Sequence, residues 1–152
     1  MSTQFLDQLN QECAATGKFI ELLDVEAQAM TDGNFGALPA LAQLKSELAN
    51  EIARLTAERV KEQLSMGYAA DRAGTQACVD AGGQALEHAW SSMLERAALA
   101  RSHNHRNGVM IHTHLDFTRQ SISFLQAKGR PLYGPDGSHH TGAASGNQLA
   151  VG

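Results

Sequence analysis

The sequence predicts an all-α fold: a long antiparallel helical hairpin, a short helix and a long third helix in a coiled-coil-like bundle, followed by a disordered C-terminal tail. Three observations predict it. Apolar residues recur in alternating steps of three and four through three segments, which keeps them on one side of an α-helix. Ala, Leu, Gln and Glu dominate, and all are good helix formers. Apolar residues make up 43% of the 152 but aromatics only 5%. A core so poor in aromatics is a seam between helices rather than a thick globular centre.

The first long helix carries the stripe Leu6, Leu9, Cys13, Thr16, Ile20, Leu23, Ala27 and Met30. Gly17 weakens its middle by roughly 1 kcal/mol relative to Ala. The run Asp32-Gly33-Asn34 then stops it with turn chemistry. A second helix starts directly behind, with Asn34 as its expected N-cap and Pro39 in the first turn, where proline is tolerated. Its stripe is Leu41, Leu44, Leu48, Ile52 and Leu55. Lys45, Glu47, Glu51, Arg54 and Glu58 lie off the stripe and read as a solvated face. The short turn makes the two helices antiparallel neighbours.

Residues 66–83 are less regular. Gly67, Gly74, Gly82 and Gly83 interrupt them, so one short helix is expected over 71–81 between two breaks. The third long helix begins near Gln84. Its stripe runs Leu86, Trp90, Met93, Ala97, Arg101, Asn104, Gly108, Ile111, Leu115, Thr118, Ile122 and Leu125. Because the periodicity keeps its phase through 104–108, one continuous helix is the expected reading; the alternative is a break at Arg106-Asn107-Gly108. From residue 129 the composition changes. Residues 129–152 hold six of the 14 Gly and two of the three Pro, so the domain boundary is placed between a bundle over 1–128 and a flexible tail over 129–152.

The third helix has more apolar surface than one seam needs. Over residues 108–125 a second stripe, Met110, His114, Phe117, Ser121 and Phe124, lies about 100° round the helix from the first. Met and Phe make an adaptable surface suited to a partner helix. The expected arrangement is that the first stripe packs internally and the second meets a client or another copy of this chain. The competing arrangement makes both stripes bundle core.

Other chemistries are poorly supported. The net charge is −4 and the basic residues are scattered, unlike the concentrated footprint of a nucleic-acid binder. The N-terminal ten residues carry Asp7 and no Lys or Arg, so no signal-peptide start is expected. No apolar run approaches the ~20 residues that a membrane-spanning helix needs, so membrane insertion is not expected. Cys13 and Cys78 are isolated and read as reduced thiols of a cytoplasmic protein. His103-Asn104-His105 and His112-Thr113-His114 place histidines two apart, which on a helix point about 200° apart and cannot chelate from one face. No HExxH, nucleophile elbow or phosphate loop occurs. No metal, no cofactor and no catalytic residue is therefore expected. The stripes serve a monomeric bundle and a homodimer equally well.

Several short motifs resemble the FlgN-type flagellar export chaperones. They are Trp90-x-x-Met93-Leu94; Asn104-x-x-Asn107-Gly108-x-x-Ile111; Thr118-Arg119-Gln120 with Phe124-Leu125; and Leu132-Tyr133-Gly134-Pro135-Asp136-Gly137. The resemblance is specific over 104–137 and generic before that. It implies a cytoplasmic, non-ATPase chaperone of flagellar type III secretion. It implies as partners the hook–filament junction proteins, held by their terminal coiled-coil-forming segments, and the cytoplasmic domain of the export gate. The client-binding residues expected on combining this with the apolar excess are Met110, Ile111, His114, Leu115, Phe117, Ile122, Phe124 and Leu125. The resemblance assigns gate docking to Tyr133; read without it, Gly134-Pro135-Asp136-Gly137 is a type I turn on which Tyr133 stacks. Nothing beyond Gly137, including His139 and His140, matches the family. The competing class is a coiled-coil adaptor or regulatory protein with no export client.

Overall fold

Helix α1, Ser2–Thr31, is ended by the turn that the Asp32-Gly33-Asn34 run predicts. Gly33 sits at φ +75°, a conformation that favours glycine. A single 3-10 turn, Phe35–Ala37, leads into α2, Leu38–Ser65, with Pro39 in its first turn. Asn34 differs from expectation. It precedes the 3-10 turn rather than α2, and its side chain makes no cap hydrogen bond. The 3-10 turn supplies the backbone bonding that a cap would have supplied. Helix α3, Arg72–Gly82, is capped by Asp71, whose carboxylate accepts the Gly74 N–H at 2.8 Å. Gly83, at φ +94°, separates it from α4, Gln84–Tyr133. The computed structural model describes residues 2–133, with side chains over residues 3–128. Of the expected tail over 129–152, residues 129–133 continue α4, and the rest, with His139 and His140, lies outside the described residues.

The fold class is the one the sequence predicts: four helices and no strand among the described residues. Helix α4 includes Asn104 and Gly108, with no break at 106–108. The chain forms two compact units, the first Met1–Asn107 and the second beginning at Gly108.

The core of the first unit joins Phe5, Leu9 and Cys13 of α1 to Cys78 and Val79 of α3 and to Leu86, Ala89, Trp90 and Met93 of α4. Phe5, Leu9 and Val79 are almost fully buried, and each such side chain contributes about 1.5–3 kcal/mol by leaving water. Gly74 belongs to this packing. A Cβ there would strike the backbone of Ala69. Gly17 also gains a reason, because it leaves room beside α1 for the Arg96 guanidinium, which donates to the Cys13 carbonyl at 2.8 Å.

Two polar layers cross this unit. In one, Arg59 of α2 donates through Nε to Glu12 of α1 at 2.6 Å, and its guanidinium lies 5.5 Å from the Trp90 ring of α4. In the other, Lys45 of α2 donates to Glu26 of α1 at 3.1 Å and to Asn104 of α4 at 3.0 Å. Fourteen residues, two heptads, separate Glu12 from Glu26, Arg59 from Lys45 and Trp90 from Asn104. One acid–cation unit thus recurs at equivalent levels of three helices. Such layers specify register, because a one-turn slip would leave buried charges unpaired. Lys45 is therefore not the solvated residue its position off the apolar stripe implies. It is drawn inward by Glu26, whose side chain is only 3% exposed.

Candidate functional site

The candidate site lies on α4, and its anchoring begins within the first unit. The stripe extrapolated from Trp90 and Met93 places Arg101 and Asn104 in the seam, yet both are exposed; Asn107 is buried instead. Asn107 Nδ2 donates to the Leu23 carbonyl at 2.8 Å and to Glu26 Oε1 at 2.9 Å. Beside it, Asp24 meets His103 Nδ1 at 3.3 Å and Arg106 at 3.5 Å. The two asparagines of the Asn104-x-x-Asn107 motif converge on one cluster. Asn107 binds Glu26 directly, and Asn104 accepts from the lysine that Glu26 holds. Their role is to fix α4 on the hairpin, not to present a binding surface.

From Gly108 the character of α4 changes. Phe117, Phe124 and Leu125 are 66%, 60% and 66% exposed, and Leu115 and Ile122 are also open to solvent. Met110, Ile111, His114, Thr118 and Ser121 are half-buried. The expected division, with the first stripe packed internally and the second exposed, does not hold. Leu115 and Ile122 of the first stripe are about half exposed, and Leu125 is as open as the phenylalanines. Phe117, Gln120, Ser121, Phe124 and Leu125 line an open trough of about 400 Å³. Lys128 lies 5.6 Å from the Phe124 ring, a cation–π contact at the end of the apolar run. Arg119 and Asp116 form an exposed pair at 3.9 Å, of the kind worth little to stability. Scattered exposed hydrophobics need no explanation, but a run of this kind on one helix makes it the candidate interaction surface.

The side chain of Tyr133, the expected gate-docking residue, lies outside the described residues. Among the described residues no group of three His, Cys, Asp or Glu side chains could hold a metal ion, and no helix is long and apolar enough to cross a membrane. Both cysteines are buried free thiols, and burial pushes the Cys78 thiol pKa up.

Fold and surface together define an all-helical protein whose register is set by buried polar layers and whose last helix carries an exposed aromatic and aliphatic run. The FlgN protein family matches residues 1–141. Two curated relatives are both flagella synthesis protein FlgN, one from Yersinia enterocolitica and one from its serotype O:8 / biotype 1B strain. Each is 31% identical over 68 residues, covering 44% of this chain and 46% of the relative. The match therefore spans about half the length of these relatives. No solved structure matches. The chain belongs to the FlgN family.

Proposed function

We propose that this protein is a cytoplasmic export chaperone of the flagellar type III pathway that holds hook–filament junction proteins. In this role it keeps them from assembling prematurely and delivers them to the export gate. The observation that carries the reading is the open run of Leu115, Phe117, Ile122, Phe124 and Leu125 on α4, in a chain of the FlgN family. Met110, Ile111 and His114 extend the same client face. An exported axial subunit has terminal helices that would otherwise self-associate. An apolar helix face replaces the missing partner, with anchors at helical spacing. The activity is non-catalytic and needs no cofactor.

Residues 129–152 act in this reading as a docking tail, with Tyr133 contacting the gate's cytoplasmic domain. The test is co-purification. The wild-type chain is expected to capture the terminal fragment of a junction protein. Tyr133→Ala should leave that capture intact and weaken binding to the gate domain. Failure to retain any junction-protein fragment contradicts the client assignment. Equal gate binding by both forms contradicts the role given to Tyr133.

A further inference from the structure

The open part of α4 is too wide for one partner helix. The second stripe, from Met110 to Phe124, and the first, from Ile111 to Ile122, together span about 180° of the helix at about 100° per residue. Leu125 lies between the two stripes. Asp116 and Arg119 lie outside this arc, where they pair with each other. A single coiled-coil seam uses a narrower stripe. The same helix shows what fuller cover looks like. Between residues 84 and 107 its buried Leu86, Ala89, Trp90, Met93 and Asn107, with the half-buried Leu94, span about 140°. Three helices share that cover. The Cys13 and Leu23 carbonyls of α1 accept from Arg96 and Asn107. Arg59 of α2 lies over the Trp90 ring, and Trp90 Nε1 donates to Gln76 of α3 at 3.1 Å. An apolar arc at least as wide over residues 110–125 therefore needs more than one helix to cover it.

We infer, resting on the client reading above, that the client covers this part of α4 with a helical hairpin, one helix on each stripe. The two stripes start and stop at the same levels, Met110 beside Ile111 and Phe124 beside Leu125. Two partner helices of equal length, about 22 Å, fit that outline. Joined by a turn, they lose the freedom of association once rather than twice. The stripes differ in chemistry, so the two helices differ as well. The first stripe is aliphatic, with Ile111, Leu115 and Ile122; the second is Met110, Phe117 and Phe124, with small Ser121 between the rings. Among the described residues of the arc, Lys128 is the one Lys, Arg, Asp or Glu. It lies on the second stripe, 5.6 Å from the Phe124 ring. The helix over the second stripe therefore carries a carboxylate at the level of Lys128, and the helix over the first is apolar along its contact face.

The test is thiol labelling of the full chain with and without a saturating intact junction protein, read by peptide mass spectrometry. Ile122→Cys reports the first stripe, Phe117→Cys the second and Asp116→Cys the polar face. The native Cys13 and Cys78 are buried and give a slow background. All three positions are exposed, so the helices should persist, which circular dichroism checks. In the free chain all three should label freely. In a complex of one client per chaperone chain, counted by native mass spectrometry, labelling at positions 117 and 122 should each slow at least tenfold, with position 116 unchanged. Lys128→Glu should weaken the complex about tenfold. Protection of one stripe alone overturns the two-helix cover and leaves the client reading standing. Protection of neither stripe in a complex that forms contradicts the client face itself. Two clients per chain, or a stripe already protected in the free chain, overturns the hairpin. Unchanged affinity of Lys128→Glu overturns the carboxylate.

Discussion

Asn107 of α4 and Glu26 of α1 share a hydrogen bond of 2.9 Å inside the bundle, and the same asparagine amide also reaches the Leu23 carbonyl. This contact sits at the last residue of the first compact unit, one position before Gly108. It separates the structural part of α4 from the part that carries the candidate client face.

Replacing Asn107 by Ala removes two donors from buried acceptors. Leaving such groups unsatisfied costs about 1–3 kcal/mol. Urea unfolding should report a loss in that range. Client capture at temperatures where the variant is folded should be retained, because Asn107 is fully buried. If stability is unchanged, the asparagine does not anchor the helix.

The Glu12–Arg59 pair is buried on both sides, and Arg59 also donates to Gln63 and Thr75 at 3.3 Å. Removing one member of a buried pair strands the other, at about 3–5 kcal/mol. Glu12→Leu should therefore be strongly destabilising. Glu12→Leu combined with Arg59→Met should recover a large part of that loss, since no unpaired charge remains. A double-mutant cycle with additive losses would show that the two side chains are not coupled.

Cys78 is packed in the core, and burial is the largest cause of its raised thiol pKa, with Glu62 adding to it and Arg59 opposing it. The thiolate is the reactive form. At neutral pH the native protein should therefore alkylate at Cys78 far more slowly than the denatured chain. Mass spectrometry of peptides after timed alkylation measures this directly. Native labelling at the denatured rate would contradict the burial.

Gly74→Ala should destabilise α3, because the added Cβ meets the Ala69 backbone rather than a side chain that can move aside. The cost should exceed the roughly 1 kcal/mol that Ala gains as a helix former, so the net change in thermal unfolding is downward. Gly17→Ala is the informative contrast. There the added Cβ comes within 3.0 Å of the Arg96 guanidinium, a side-chain end that can shift at some cost to its bond with the Cys13 carbonyl; the helix gain of Ala opposes that cost, so stability should change less than at Gly74.

Most of the architecture is legible in the spacing of apolar residues. The hairpin, the short α3 and the long α4 follow from the stripes and from the Gly-rich breaks. The buried polar residues are not legible that way. Glu12, Arg59, Gln63, Thr75 and Asn107 are buried because they bond one another or the backbone across helices, and no apolar periodicity marks a partner 47 or 81 residues away. The same limit misplaces the seam of α4 at Arg101 and Asn104. Phe5 escapes the α1 stripe because that stripe is counted from Leu6; the core takes both. The apolar excess over 108–125 is legible as excess. Its openness on both stripes is not, since periodicity reports a face and not what covers it.

The central claim is that the exposed run on α4 is the client face. Its most direct test is the affinity of the chain for the terminal fragment of a junction protein, measured by calorimetry for the wild type and for Phe117→Asp with Phe124→Asp. Both phenylalanines are largely exposed, so the double variant should unfold within about 0.5 kcal/mol of the wild type. Binding should fall at least about 100-fold, as expected when two aromatic anchors are lost. Undiminished binding by a folded double variant would contradict the claim, and so would a variant that loses its helices.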